Sequence, residues 1–138
     1  MRRAAVIAAV ACLTLGVPAG GASDLELSAF RMPSRNVGCI YAKFAGQPAS
    51  LRCDILSGIK PLPPKPRACD LDWGTAIGLN RTGRARLMCV GDTAYDPRAR
   101  VLAYGTSWSR NGFTCTSRMT GLRCTNLSGH GFTLSRAT

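Results

Sequence analysis

The cysteines constrain this chain more than any other feature of its sequence. Six of them are spread from residue 39 to residue 124, and the seventh, Cys12, lies in an apolar leader. An even number of cysteines in a short exported chain is typical of a disulfide framework. Zinc is the competing interpretation, but zinc sites usually draw cysteines in close pairs such as C-x-x-C. Here even the closest two, Cys115 and Cys124, are much farther apart, so we expect disulfides and no metal.

The first 22 residues predict a cleavable signal peptide. Two arginines follow the initiating methionine, and the chain then runs without a charge to Ser23. A positive start, an apolar core and small residues before a cleavage point after Ala22 are typical of a secretory signal. An uncleaved membrane anchor is the alternative, but Pro18 interrupts the run, which barely reaches the ~20 apolar residues of a span. We therefore expect a secreted domain, extracellular or periplasmic.

Apolar residues after residue 24 alternate with a period of two, which is typical of β-strands with one buried face. We predict an all-β domain, a small antiparallel sandwich or open barrel built of hairpins, over residues 30–136, with residues 23–29 as a short flexible lead. One strand is expected to run from Leu102 to Trp108. The predicted core comprises Phe30, Ile40, Tyr41, Leu51, Ile55, Trp73, Leu87, Leu102, Tyr104, Trp108, Phe113, Leu122 and Phe132.

Hairpin geometry narrows the 15 pairings that six cysteines allow. Two of the pairs would face each other across hairpins whose loops, residues 45–47 and 118–121, have common lengths. Cross-strand neighbours place their Cβ atoms about 4.5–5.5 Å apart, close to disulfide geometry. The remaining two cysteines then pair across a longer excursion. The predicted disulfides are Cys39–Cys53, Cys69–Cys89 and Cys115–Cys124.

A proline-rich, basic connector covers residues 58–67. Prolines remove backbone donors and favour an extended conformation. We interpret the connector as a stiff crossover between two halves of the sheet. A docking strip for the aromatic groove of a partner is the alternative.

The single histidine, His130, lies between two glycines. This setting suits a general base or a metal ligand, but it also suits a tight turn. No G-x-S-x-G or H-E-x-x-H segment is present. We therefore favour a non-catalytic exported binding or structural module without a cofactor. The alternative is a small secreted hydrolase in which His130 acts with a nearby Asp or Ser.

Basic residues suggest a class of partner. The whole chain has a formal net charge of +11, and removing residues 1–22 leaves 18 − 2 = 16 basic and 7 acidic residues, or +9. The pairs Arg84/Arg86 and Arg98/Arg100 would each share a face if extended. They predict contact with a polyanion, namely an anionic glycan, a lipid headgroup or nucleic acid. The alternative is compositional, because an arginine-rich chain also follows from a GC-rich genome. A monomer is expected, and no protein partner can be inferred.

The two ends of the expected domain carry recognisable motifs. Residues 30–39 read F-x-x-P-S-x-N-x-x-C, and residues 124–132 read C-x-N-x-x-G-H-G-F. The chain from Phe30 to Arg136 resembles a family of bacterial secreted proteins known as a domain of unknown function. The resemblance implies an exported, cysteine-bearing domain, and it implies no activity, cofactor or catalytic residue.

Overall fold

The computed structural model describes residues 11–13, 15–17 and 24–136, so the predicted signal peptide lies largely outside the described residues. Within the described residues the chain forms strands and no helix, which confirms the all-β prediction. The strands are β1 (Glu26–Arg31), β2 (Val37–Lys43), β3 (Ser50–Ile55), β4 (Asp72–Asn80), β5 (Arg86–Val90), β6 (Arg100–Val101), β7 (Ser107–Arg110), β8 (Phe113–Arg118), β9 (Gly121–Thr125) and β10 (Gly131–Leu134).

The strands form two sheets that pack face to face. The six-stranded sheet has the order β5-β4-β3-β2-β1-β6, and the four-stranded sheet has the order β10-β9-β8-β7. Neighbours are antiparallel except for β1 and β6, which are parallel. One buried cluster contains inward-facing residues of both sheets, as in an aligned sandwich.

The three predicted disulfides are confirmed. Both hairpin registers that led to them are correct, since Tyr41 lies opposite Leu51 and Ser117 lies opposite Leu122. The loops differ in length from the prediction. The first is longer than expected, because the β2–β3 ladder ends at the Ala42–Ser50 pair and residues 43–49 lie between these two. The second loop contains only residues 119–120, because Arg118 also pairs with Gly121.

Aromatic side chains fill the core between the sheets. The ring centroids of Phe30 and Trp108 are 5.1 Å apart, those of Tyr41 and Trp108 are 5.9 Å apart, and those of Tyr41 and Phe113 are 6.1 Å apart. The Arg110 guanidinium lies over the Tyr41 ring at 5.1 Å. Aromatic pairs at such distances add to the stabilisation from burial, so this cluster joins β1 and β2 to β7 and β8.

The strand predicted from Leu102 to Trp108 is wrong. Residues 102–106 instead carry the chain from the six-stranded to the four-stranded sheet, through a turn in which the Thr106 amide donates to the Ala103 carbonyl. Gly105 lies at φ 83° within this segment, a conformation that glycine adopts without strain. Tyr104 is consequently 39% exposed and lies outside the core. Four further predicted core residues are only partly buried: Ile40, Trp73, Leu87 and Phe132.

Two other segments differ from the sequence prediction. Residues 26–29, expected as part of a flexible lead, form the first four of the six residues of β1. The proline-rich connector joins β3 to the adjacent β4, so it does not cross between two halves of the sheet. It folds back over the start of β4, where the Ile59 amide donates to the Gly74 carbonyl and the Trp73 indole donates to the Pro63 carbonyl.

Residues 91–99, which we call the strap, cross the outer face of the six-stranded sheet from β5 at one edge to β6 at the other. Five strand spacings amount to about 24 Å and nine extended residues reach about 30 Å, so the strap is long enough to span the sheet. Two contacts attach the strap to the strands that it crosses. Tyr95 packs against Gly38 of β2, where an added Cβ would lie 2.9 Å from the ring, and Arg31 of β1 donates to the Pro97 carbonyl.

An ion-pair network fixes the start of the strap. Arg52 makes two hydrogen bonds to the buried carboxylate of Asp54, at 2.8 and 2.9 Å, and one to the Asp92 carboxylate at 2.8 Å. The Ala94 amide donates to Asp54 as well. Burial alone would lower the pKa of Arg52, but the hydrogen bonds and charges of Asp54 and Asp92 outweigh it and raise that pKa. The strap therefore covers part of this outer face, whereas Asn80 and Arg86 on the same face stay exposed.

Candidate functional site

The outer face of the four-stranded sheet carries only hydroxyl and guanidinium side chains, apart from glycines. We call these outward residues the open face. They alternate with the core residues of β7–β10, because successive strand residues point to opposite sides. The open face consists of Ser107, Ser109, Thr114, Thr116, Arg118, Arg123, Thr125 and Thr133.

The strand register arranges these side chains in rows. In the central row Arg123 lies opposite Thr116 on one side and Thr133 on the other, and Ser107 is opposite Thr116. The Ser107 and Thr116 hydroxyls are 2.9 Å apart and form a hydrogen bond. Rows follow one another about 6.8 Å apart along the strands, and neighbours within a row are about 4.8 Å apart. The result is a regular grid of short polar groups.

The charged residues on the strands of this sheet are all arginines. No Asp or Glu follows Asp96 in the sequence, whereas six arginines do: Arg98, Arg100, Arg110, Arg118, Arg123 and Arg136. Two of these arginines form salt bridges that the structure describes, Arg98 with Asp96 at 3.7 Å and Arg110 with Glu26 at 3.3 Å. Arg118 and Arg123 belong to neither pair. In the sequence, this site is indicated by the stretch after Asp96 that contains arginines and no Asp or Glu. The pairs of arginines two residues apart did not indicate it.

Asn126 organises the loop that holds His130 at the edge of the open face. Its amide nitrogen donates to the carbonyls of Asn80 (2.9 Å) and Gly83 (2.8 Å), and its oxygen accepts from the Ser128 and His130 amides at 3.1 Å each. The side chain is almost fully buried. It thereby links the β9–β10 loop to the β4–β5 turn, and thus one sheet to the other.

The glycines around His130 have backbone reasons to be glycine. Gly129 lies at φ 77°, and a Cβ on Gly131 would clash with the Cys124 carbonyl oxygen of β9. His130 itself is exposed. A cleft of about 380 Å³ lies beside it. None of the residues that line this cleft is an acid: they are Arg123, Thr125, Gly129, His130, Gly131, Phe132 and Thr133. The structure thus places the imidazole in a turn, with no acid in the cleft to act with it.

The four arginines singled out from the sequence lie far apart. Arg84 and Arg86 are at the β5 edge of the six-stranded sheet, and Arg98 and Arg100 are at the β6 edge, about 24 Å away across five strand spacings. The first pair lies near the His130 loop, because the Gly83 amide donates to the Ser128 hydroxyl. The two pairs therefore do not form one patch.

The sulfur atoms of Cys39, Cys53 and Cys124 lie within 4.8 Å of one another in the core. They belong to the two disulfides that face each other across the sandwich. A metal ligand must be a thiolate, so this sulfur cluster is a packing contact of the oxidised protein.

Comparison with known protein families gives one result. The model of DUF6636, a family of unknown function, matches residues 9–138. The chain belongs to this family. The family is one of unknown function, as the resemblance of the two ends implied. No curated protein and no solved structure matches the chain.

Two observations bear on the compartment of this DUF6636 member. Its three disulfides are typical of proteins in oxidising surroundings outside the cytosol. Across the described stretches of the chain, no helix is long and apolar enough to cross a membrane.

Proposed function

We propose that this protein is an exported, non-catalytic binding module that holds an anionic glycan against the open face of its four-stranded sheet. One observation carries the proposal. The open face exposes six hydroxyl side chains and two arginines, in the part of the chain after Asp96, which has no acid. A concentration of one charge sign on one side of a protein attracts ligands of the opposite sign.

The chemistry of the grid fits a sugar chain with acidic groups. Ser and Thr hydroxyls both donate and accept hydrogen bonds, which is what sugar hydroxyls require. The planar fork of Arg118 and Arg123 suits carboxylate, sulfate or phosphate oxygens. Because the remaining side chains are short, an extended polymer can lie across the rows without a steric obstacle.

The same composition argues against the other polyanions. Single-stranded nucleic acid is usually held by aromatic side chains on which its bases stack, and the open face has none. Contact with a lipid surface usually adds large apolar side chains to the basic ones, and these are also missing from the open face. An anionic glycan needs neither.

The basic surface extends beyond the open face at one edge. The Leu127 amide donates to the Arg81 carbonyl, which ties the β4–β5 turn to the His130 loop. That turn also carries Arg84, one of the arginines singled out from the sequence, and both arginines are exposed. We expect Arg81 and Arg84 to make secondary contacts with a long polymer.

The test compares two double variants with the same loss of charge. Arg118→Gln/Arg123→Gln changes the open face, and Arg98→Gln/Arg100→Gln changes the far edge of the other sheet. Binding to polygalacturonate, a carboxylated glycan, is measured by calorimetry at fixed salt. All four side chains are exposed, so both variants should melt like the wild type.

We expect the open-face variant to bind at least about tenfold more weakly, since two charge-assisted contacts are lost. The edge variant should lose less than about threefold in affinity, because it lowers the net positive charge of the protein without removing a contact to the glycan. An equal loss in both variants would mean that net charge alone attracts the glycan, and it would overturn the proposal. Tighter binding to single-stranded DNA than to the glycan would overturn it as well.

A further inference from the structure

A cleft of about 920 Å³ lies at the end of the sandwich away from the His130 loop. Both sheets contribute to its wall, through the β1–β2 turn, the proline-rich connector, the β8–β9 turn and the end of β10. Small-molecule sites occupy about 300–1,000 Å³ and favour positions between structural units. The cleft shares no residue with the open face, so an inference about it is independent of the proposed function.

Apolar side chains form one part of the cleft. Met32, Val37 and Leu134 line it from the core and are almost fully buried. At the mouth, Tyr104 is 39% exposed and Met119 is 86% exposed. Met119 lies in a two-residue turn where a polar residue would fit, and Met is common at surfaces that adapt to apolar ligands.

The charged residues that line the cleft are both cations. Lys60 of the connector and Arg136 after β10 reach it, and none of the described residues that line it carries a carboxylate. Both cations are exposed, and no salt bridge within the described part of the chain includes them. The cleft therefore offers uncompensated positive charge beside an apolar wall.

We propose that this cleft binds a single-chain amphiphile with an acidic headgroup. The headgroup, a phosphate or a carboxylate, lies between Lys60 and Arg136. The alkyl chain lies against Met32, Tyr104 and Met119, where it removes exposed apolar surface from water. Both halves of the ligand are required, because neither two exposed cations nor a half-open apolar wall binds tightly alone.

The test is calorimetric titration of the oxidised domain with decyl phosphate below its critical micelle concentration. Inorganic phosphate supplies the headgroup alone, and decyl glucoside supplies the chain with a neutral head. Lys60→Gln/Arg136→Gln removes both cations of the cleft. Lys65→Gln/Arg67→Gln is the matched control, since it removes two exposed charges nearby that do not line the cleft.

We expect saturable binding of decyl phosphate at one site per chain, and at least tenfold weaker binding of both partial ligands. The cleft variant should lose about tenfold in affinity, and the control less than about threefold. Met119→Gln should also weaken decyl phosphate, whereas Arg118→Gln/Arg123→Gln should reduce the affinity no more than the control does. Absence of saturation, equal binding of decyl glucoside, or equal loss in the control would overturn the proposal.

Discussion

Replacing Asn126 by alanine should destabilise the domain by about 3 kcal/mol. The side chain makes five hydrogen bonds, four to backbone groups of Asn80, Gly83, Ser128 and His130, and one to the Ser128 hydroxyl. The four partner residues are exposed, so water can replace part of what is lost. Each bond then contributes near the lower end of the usual range, about 0.5–1 kcal/mol, and five amount to about 3 kcal/mol.

The assay is urea denaturation of the oxidised domain, followed by tryptophan fluorescence and analysed by linear extrapolation. Asn80→Ala is the matched control. It removes an exposed amide side chain from the same contact but leaves the carbonyl that Asn126 binds. The control should stay within about 0.5 kcal/mol of the wild type. If Asn126→Ala were as stable as the control, the view that this side chain holds the two sheets together at this end would be refuted.

Three further predictions follow from the fold. Gly38→Ala should cost about 1–3 kcal/mol in the same assay, because its Cβ would lie 2.9 Å from the Tyr95 ring and force the strap away; a stability equal to the wild type would contradict close packing of the strap. Loss of the Cys69–Cys89 disulfide in a double serine variant should cost about 3 kcal/mol, as expected for a separation of 20 residues, and an unchanged melting temperature would contradict this. A hydrogen bond from arginine lowers the pKa of Asp92 below its ordinary value, so its contribution to stability is complete at neutral pH and is lost as the pH falls through the lowered pKa. Asp92→Asn should therefore melt below the wild type at pH 7 and converge with it in strong acid, and a constant difference at all pH values would contradict the ion pair.

The hairpins were predictable because their signals are local. In β2–β3 and β8–β9 a cysteine occurs at an inward position of each strand, and antiparallel pairing of two strands adjacent in sequence brings the two opposite each other. The register follows from that arrangement alone. β4 and β5 gave a weaker signal, since β4 contains two glycines and its pairing with β5 shifts register along its length.

The parts that could not be predicted depend on contacts between distant segments. The parallel pairing of β1 with β6 requires the strap to cross five strand positions, and no sequence period encodes such a path. The position of Tyr104 was also unpredictable from local sequence. Its alternation with Leu102 and Trp108 indicated a strand. The crossing between sheets at residues 102–106 broke that alternation, because Gly105 takes a positive φ there.

Much the same limit applies to the candidate sites. Spacing identified Arg84, Arg86, Arg98 and Arg100, but spacing cannot say at which edge of a sheet a residue lies. Two features were readable without a structure, namely the alternation of Ser, Thr and Arg along β7–β10 and the absence of acids beyond Asp96. Their combination into one face required the order of the four strands.

The most direct test of the proposed function is to locate the glycan contact on the protein. Backbone amide resonances of the isotope-labelled domain are followed by nuclear magnetic resonance during titration with a trigalacturonate oligosaccharide at low salt. The account predicts saturable shifts concentrated on β7–β10, largest around Arg123 and Thr116. Shifts confined to the strap or to the β6 edge, with β7–β10 unmoved, would contradict it.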